Sequence, residues 1–280
     1  MKTWLVLDCP NLCFRLWGVL RKSGPGWYLN EGLVTCFMRT VTSLRTSFQT
    51  DHLAFCFDSP VLFRRQIFPK YKAYRRGETD SEVIQDKIRV RRVIDELWKQ
   101  LGRAGFVNVF RSPGMESDDL MAKIAFTYDG LREGPDGDEK LFLVLVSSDK
   151  DLYQCLSERV ILHMSGTMTK RAFENLYEIP PRAWARVKAI AGCKTDGVPG
   201  IPGIGENTAL KYIRGQISSG AKLNKIRSPE GRNIIQRNRQ LVELPAEGCP
   251  KIKLYDRDWS EDKWIRLAKK LKIKEGRIRV

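Results

Sequence analysis

Three short apolar runs in this 280-residue chain lead into an aspartate, and that repetition restricts the fold more than any other feature. Residues 3–7 run into Asp8, residues 52–57 run into Asp58, and residues 141–146 reach Asp149 through two serines. Runs of this length bounded by polar residues predict buried strands. Residues 11–20 and 31–48 between them have helical spacing, with Leu33, Phe37, Val41 and Leu44 on one face. A further strand is predicted over 106–110. Strands alternating with helices of ten or more residues predict an α/β fold whose parallel sheet is covered on both faces. Ligands of such sheets bind in the crevice at the carboxyl ends of the strands. Asp8, Asp58 and Asp149 are therefore expected along one edge.

Other acids join them. Met115-Glu-Ser-Asp-Asp-Leu120 follows the 106–110 run and opens a helix, supplying Glu116, Asp118 and Asp119. Asp151 lies two residues beyond Asp149, and Asp196 stands just before a turn rich in Gly and Pro. Any one of these acids could simply cap a helix. Together on one edge they repel one another unless a cation offsets the charge. Hard oxygen ligands of this kind suit Mg²⁺ or Mn²⁺.

The rest of the chain is strongly basic, with a formal net charge of +16, which points to a polyanionic partner. Residues 63–76 are basic with interleaved aromatics, and Tyr71 or Tyr74 could stack on an unpaired base. Residues 81–102 read as one long amphipathic helix. At 192–209 a Gly- and Pro-rich turn runs into a helix start, an arrangement that offers backbone N–H groups to a phosphate. Residues 259–273 read as a basic helix. Seven cysteines with only two histidines predict free thiols in a reducing, cytoplasmic setting and argue against a zinc site. No apolar run approaches the ~20 residues of a membrane span.

These blocks, in this order, resemble the 5′ nuclease superfamily, which includes the 5′-to-3′ exonuclease domain of bacterial DNA polymerase I, phage 5′ exonucleases and flap endonucleases. Asp8 with Arg15, Phe57-Asp58, Phe63-Arg64, Pro69-Lys-Tyr-Lys-Ala-Tyr-Arg75, Gly114-Met-Glu-Ser-Asp-Asp119, Ser148-Asp-Lys-Asp151 and Pro199-Gly-Ile-Pro-Gly-Ile-Gly205 carry the likeness. The resemblance implies a PIN-like nuclease domain over 1–178, with a helical arch at about residues 69–104. It implies a helix-hairpin-helix DNA-binding region with C-terminal helices over 179–280. Tyr71, Lys72 and Arg75 would act at the scissile phosphate. Asp8, Asp58, Glu116 and Asp118 would surround one Mg²⁺ or Mn²⁺, and Asp119, Asp149, Asp151 and Asp196 would lie toward a second. DNA contacts would come from Arg15, Arg64, Arg76, Gly203, Ile204, Gly205, Thr208 and Lys211, with a K⁺ held at the hairpin.

The expected activity is 5′-to-3′ exonuclease or flap endonuclease action on DNA in replication, extending to RNA primers in hybrids. The chain would act as a monomer beside other replication proteins. One departure matters: Cys193 stands where the family has an acid, and Gly197 where it has Asn. A weakened, DNA-binding relative is the alternative this raises. A PIN-type ribonuclease would explain the acids but not the hairpin.

Overall fold

The computed structural model describes residues 1–23, 31–73, 80–129, 140–256 and 258–273. β1 (Lys2–Asp8) runs straight into α1 (Cys9–Leu20), and α2 (Glu31–Ser47) leads to β2 (His52–Cys56). A short α3 (Arg64–Ile67) precedes the 24-residue α4 (Ser81–Ala104), followed by β3 (Val109–Phe110), α5 (Ser117–Tyr128) and β4 (Leu141–Val146). β5 (Val160–His163) and β6 (Thr167–Met168) complete the sheet, in the order β3-β2-β1-β4-β5-β6. All neighbours pair in parallel except the edge strand β6.

Strand alternation sorts the core into two layers. Trp4 and Val6 of β1 pack with Leu143 and Leu145 of β4 on one face, beneath α5. Leu5 and Leu7 pack with Val144 and Val146 on the other, beneath α1, α2 and α4. A strand covered on both sides reads as a continuous apolar run, which is why β1 and β4 are legible in the sequence.

The chain passes from β1 outward to β2 and β3, then returns to place β4 on the other side of β1. The strand order therefore reverses at β1/β4, the position where open sheets form a crevice. The predicted strand over 106–110 shrinks to its last two residues. Phe106 instead turns into the core against Phe55, Trp259 and Trp264, while the N–H groups of Val107 and Asn108 donate to the buried carboxylate of Asp258 at 2.8 Å each.

The C-terminal third adds α6 (Lys170–Tyr177), α7 (Trp184–Ala191), α8 (Glu206–Ile213), α9 (Ala221–Arg227), α10 (Pro229–Val242) and α11 (Glu261–Lys270). Helix α11, shorter than its predicted 259–273 span, is N-capped by Ser260 and packs against α4. Between α7 and α8 lies a tight hairpin of β7 (Gly192–Cys193) and β8 (Val198–Pro199). A Cβ on Gly200 would lie 2.1 Å from the Ala191 carbonyl oxygen, so only glycine permits this approach. All seven cysteines are free, and no helix among the described residues is long and apolar enough to cross a membrane.

Candidate metal centre and nucleic-acid interface

Asp8 is the last residue of β1 and caps α1 through the N–H of Asn11 at 3.1 Å. Its carboxylate also accepts from the hydroxyls of Ser117 and Ser147, each at 2.8 Å. Asp58, just past β2, accepts the Ser117 N–H at 2.8 Å. Glu116 is the N-cap of α5. One serine at the start of α5 thus ties together the acids that end β1 and β2. Burial, then the neighbouring Asp58, pushes Asp8 up to about 7. Burial and Glu116 likewise raise Asp58.

Glu116, Asp118 and Asp119 each bring an oxygen within 4.8 Å of one another. Asp118 is raised well above the carboxylate range by burial, Glu116 and Asp119. Its Oδ1 is buried with no hydrogen-bond partner among the described residues. A buried, unsatisfied carboxylate oxygen is costly, and a divalent cation is a natural partner for it.

Asp119 is held differently from Asp118. It is fully buried, and the guanidinium of Arg64 grips it through two hydrogen bonds of 2.6 and 2.7 Å. The N–H groups of Glu116 and Ala246 take up its remaining acceptor capacity, at 3.0 and 2.7 Å. The Asp119 carboxylate thus accepts four hydrogen bonds from protein donors.

Arg64, expected on the DNA surface, is only 2% exposed. Its Nε donates to the Leu241 carbonyl at 2.8 Å, and Nη1 also reaches Glu116 at 3.1 Å. The acid-rich start of α5 draws the guanidinium inward, where it becomes the internal counter-charge.

Tyr71 and Lys72 reach into the acids from the other side. The Tyr71 hydroxyl donates to Glu116 at 2.7 Å and lies 3.5 Å from Asp196. The Lys72 ammonium donates to Glu116 and sits 3.6 Å from Asp196, and the Lys72 N–H donates to the Asp196 carbonyl at 2.7 Å. Burial disfavours ionised Glu116, but Lys72 and Arg64 outweigh it and hold its carboxyl below the usual range. Tyr71 is buried, so its ring is not a stacking platform for a base. Tyr74, Arg75 and Arg76 lie outside the described residues.

A second cluster adjoins the first across Lys72. Asp151, Cys193 and Asp196 each offer a ligand atom, all within 4.8 Å of one another. Burial and Asp149 push Asp151 up to about 7. Asp149, half-buried, caps the 3₁₀ turn at Lys150–Cys155 by accepting the Asp151 N–H at 2.8 Å. Lys188 of α7 lies 3.7 Å from Asp151 and 3.8 Å from Glu206. The sequence reading missed Lys188 and the two serines that hold Asp8. The serines sit within the acid blocks themselves, which was the available signal.

On the expected DNA surface, Arg15 and Lys211 are exposed, Thr208 is half-buried, and Gly203 adopts a left-handed conformation at φ 79°. Gly205 is the N-cap of α8. Ile204 departs from expectation. Its side chain is buried and its N–H donates to the Ile201 carbonyl at 2.9 Å, so neither faces a ligand.

The chain has relatives among known proteins. Residues 3–178 match the family described as 5′-3′ exonuclease, N-terminal resolvase-like domain. The chain belongs to this 5′-3′ exonuclease family. It is 29% identical over 263 residues to DNA polymerase I of Mycobacterium tuberculosis, a match covering 86% of this chain and 27% of the polymerase. It therefore spans about a quarter of the length of these polymerase relatives. The 5′-3′ exonuclease of Halalkalibacterium halodurans is 31% identical over 202 residues, covering 70% of this chain and 61% of that one. In fold, the chain is similar to the bacteriophage T5 flap endonuclease solved as a pseudo-enzyme–product complex with DNA and metal ions. That match has a TM-score of 0.67 at 19% identity and covers 96% of this chain and 98% of the other.

The raised acids make a prediction about metal and pH in this member of the 5′-3′ exonuclease family. Asp8 and Asp151 keep their protons up to about pH 7 in the fold, whereas the unfolded chain loses them near 4. Between those values the folded state binds more protons, so rising pH lowers the stability of the metal-free protein. A divalent ion favours the ionised carboxylates and reverses that loss. The rise in Tm caused by Mg²⁺ should therefore be larger at pH 8 than at pH 6, as read by thermal melting with and without the ion. Equal rises at both pH values would remove Asp8 and Asp151 from the metal-binding set.

Proposed function

We propose that this protein is a divalent-metal-dependent, structure-specific 5′ nuclease that hydrolyses phosphodiesters in DNA at a 5′ flap, nick or recessed 5′ end. The observation that carries this reading is the pair of adjoining buried clusters at the sheet's switch point, with Asp118 Oδ1 lacking a hydrogen-bond partner among the described residues and Lys72 between the clusters. The donor set fits the implied ions. Asp8, Asp58, Glu116 and Asp118 would hold one Mg²⁺ or Mn²⁺, and Asp149, Asp151 and Asp196 would approach a second. When bound, such a pair of ions supplies an activated water and relieves charge on the leaving oxygen.

The chain's own residues do the rest. Ser117 and Ser147 fix the Asp8 carboxylate, and Arg64 with Asp119 braces the start of α5 beneath Glu116. Lys72 is positioned to move from Glu116 onto a phosphate oxygen as negative charge builds there. Arg75, three residues further on, would join it. The segment from Gly203 through Thr208 and Lys211 would act as a helix-hairpin-helix that grips duplex phosphates, with a K⁺ at its turn. Residues 1–178 would then supply the cutting edge, apart from Asp196, and residues 179–280 the duplex grip. A monomer acting in the cytoplasm alongside replication proteins, on DNA and on RNA primers in hybrids, completes the reading.

A substrate panel tests it. A 5′-labelled flap duplex and a nicked duplex should be cut in Mg²⁺ or Mn²⁺, while a 3′ flap of the same sequence stays intact. Equal cutting of both flaps would contradict polarity. Tight binding without cutting in either ion would instead favour a relative that kept only the DNA clamp.

A further inference from the structure

We propose that Cys193 turns the second cluster into a mixed thiolate–carboxylate site that selects a borderline or thiophilic divalent ion, of the Co²⁺ or Zn²⁺ type, over Mg²⁺. The inference rests on the reading above that this cluster holds a metal. Cys193 Sγ lies 4.0 Å from Asp151 Oδ2 and 3.8 Å from Asp196 Oδ2. In a tetrahedral site with Zn–S near 2.3 Å and Zn–O near 2.1 Å, sulfur and oxygen would stand roughly 3.5 Å apart. Small side-chain adjustments close that difference.

The backbone holds the sulfur in place. Cys193 pairs with Val198 across the β7–β8 hairpin, and the contact between Gly200 and Ala191 locks that hairpin to the end of α7. The thiol is 3% exposed. A buried cysteine is usually a small apolar filler, and Cys193 does touch the cluster of Tyr71, Ala189, Val198 and Leu241. Its sulfur, however, has Asp151, Asp196 and the Thr195 hydroxyl (3.0 Å) around it. On the far side of Lys72, the Asp118 oxygen that has no hydrogen-bond partner among the described residues points separately to cation binding along this edge.

Mg²⁺ demands oxygen ligands and gains nothing from sulfur, whereas Co²⁺ and Zn²⁺ accept thiolate readily. On coordination the Sγ–H bond breaks, the Sγ–metal bond forms and the proton passes to buffer, with no change of oxidation state.

The test titrates Co²⁺ into the full chain without DNA and follows the thiolate-to-cobalt charge-transfer absorption in the near ultraviolet. The wild-type protein should develop this band and saturate at one thiolate-bound ion per chain. Cys193→Ser and Cys193→Asp should lack it. Calorimetry should show Cys193→Asp binding Mg²⁺ about tenfold more tightly and Co²⁺ more weakly than wild type. A wild-type protein without the band, or a band that survives in Cys193→Asp, overturns the proposal. If Cys193→Ser does not fold, Cys193→Asp decides alone, its melting curve serving as the folding control. Because no substrate is present, a failed flap-cleavage assay leaves this result standing. A missing band likewise leaves the nuclease reading intact.

Discussion

Asp118→Asn should abolish most cleavage while making the protein more stable. The amide keeps the size and shape of the carboxyl but cannot carry its charge. In the fold that charge is opposed first by burial and then by Glu116 and Asp119, so the neutral amide relieves repulsion and Tm should rise. Cleavage should fall by about 10²–10³-fold or more, since the oxygen meant for the metal is then a weak neutral ligand. Opposite signs for activity and stability are the mark of a site that is held strained for function. A lower Tm with unchanged cleavage would place Asp118 among the structural acids with Asp119.

Arg64→Ala should have the largest effect on stability. It strips the counter-charge from Asp119 and part of that from Glu116, both buried. It also leaves the Leu241 carbonyl without its donor. Removing one member of a buried pair costs about 3–5 kcal/mol, which corresponds to a fall in Tm of roughly 10 °C for a chain of this size. Thermal melting reads this directly. The measurement also separates two roles for Arg64. A surface DNA contact would lower duplex affinity and its salt dependence with little change in Tm. The buried geometry predicts a large loss of Tm, with near-normal affinity for the molecules that remain folded.

Much of the candidate metal centre was legible because a parallel sheet turns sequence order into spatial order. Strands that run the same way deliver their following residues to one edge, so Asp8, Asp58 and Asp149 could be placed together before any coordinates. The division of labour among the acids was not legible. Asp118 and Asp119 are adjacent in sequence and chemically identical, yet one keeps an oxygen with no partner among the described residues while the other is clamped by Arg64. That outcome depends on where α3 lands beside α5, a tertiary contact with no local signature.

Arg64 misled for the same reason, since a basic residue in a basic segment reads as solvent-facing until its partner is known. The burial of Ile204 and of the Tyr71 ring was not legible either, because motif position says nothing about burial. Strand 106–110 was overextended because Phe106 and its neighbours have strand propensity. Asp258, some 150 residues away in sequence, captures two of their N–H groups. β5 and α9 went unread because each is too short to show a period.

The central claim, that the paired clusters perform hydrolysis through divalent ions, is tested most directly by single-turnover cleavage of a 5′-flap duplex as a function of Mg²⁺ concentration. With the ion removed by chelator, cleavage should stop while the duplex stays bound. As Mg²⁺ is restored, the rate should climb with its concentration until the site saturates. Cleavage that persists in chelator, or a rate that does not respond to Mg²⁺ or to Mn²⁺ in its place, would contradict the account.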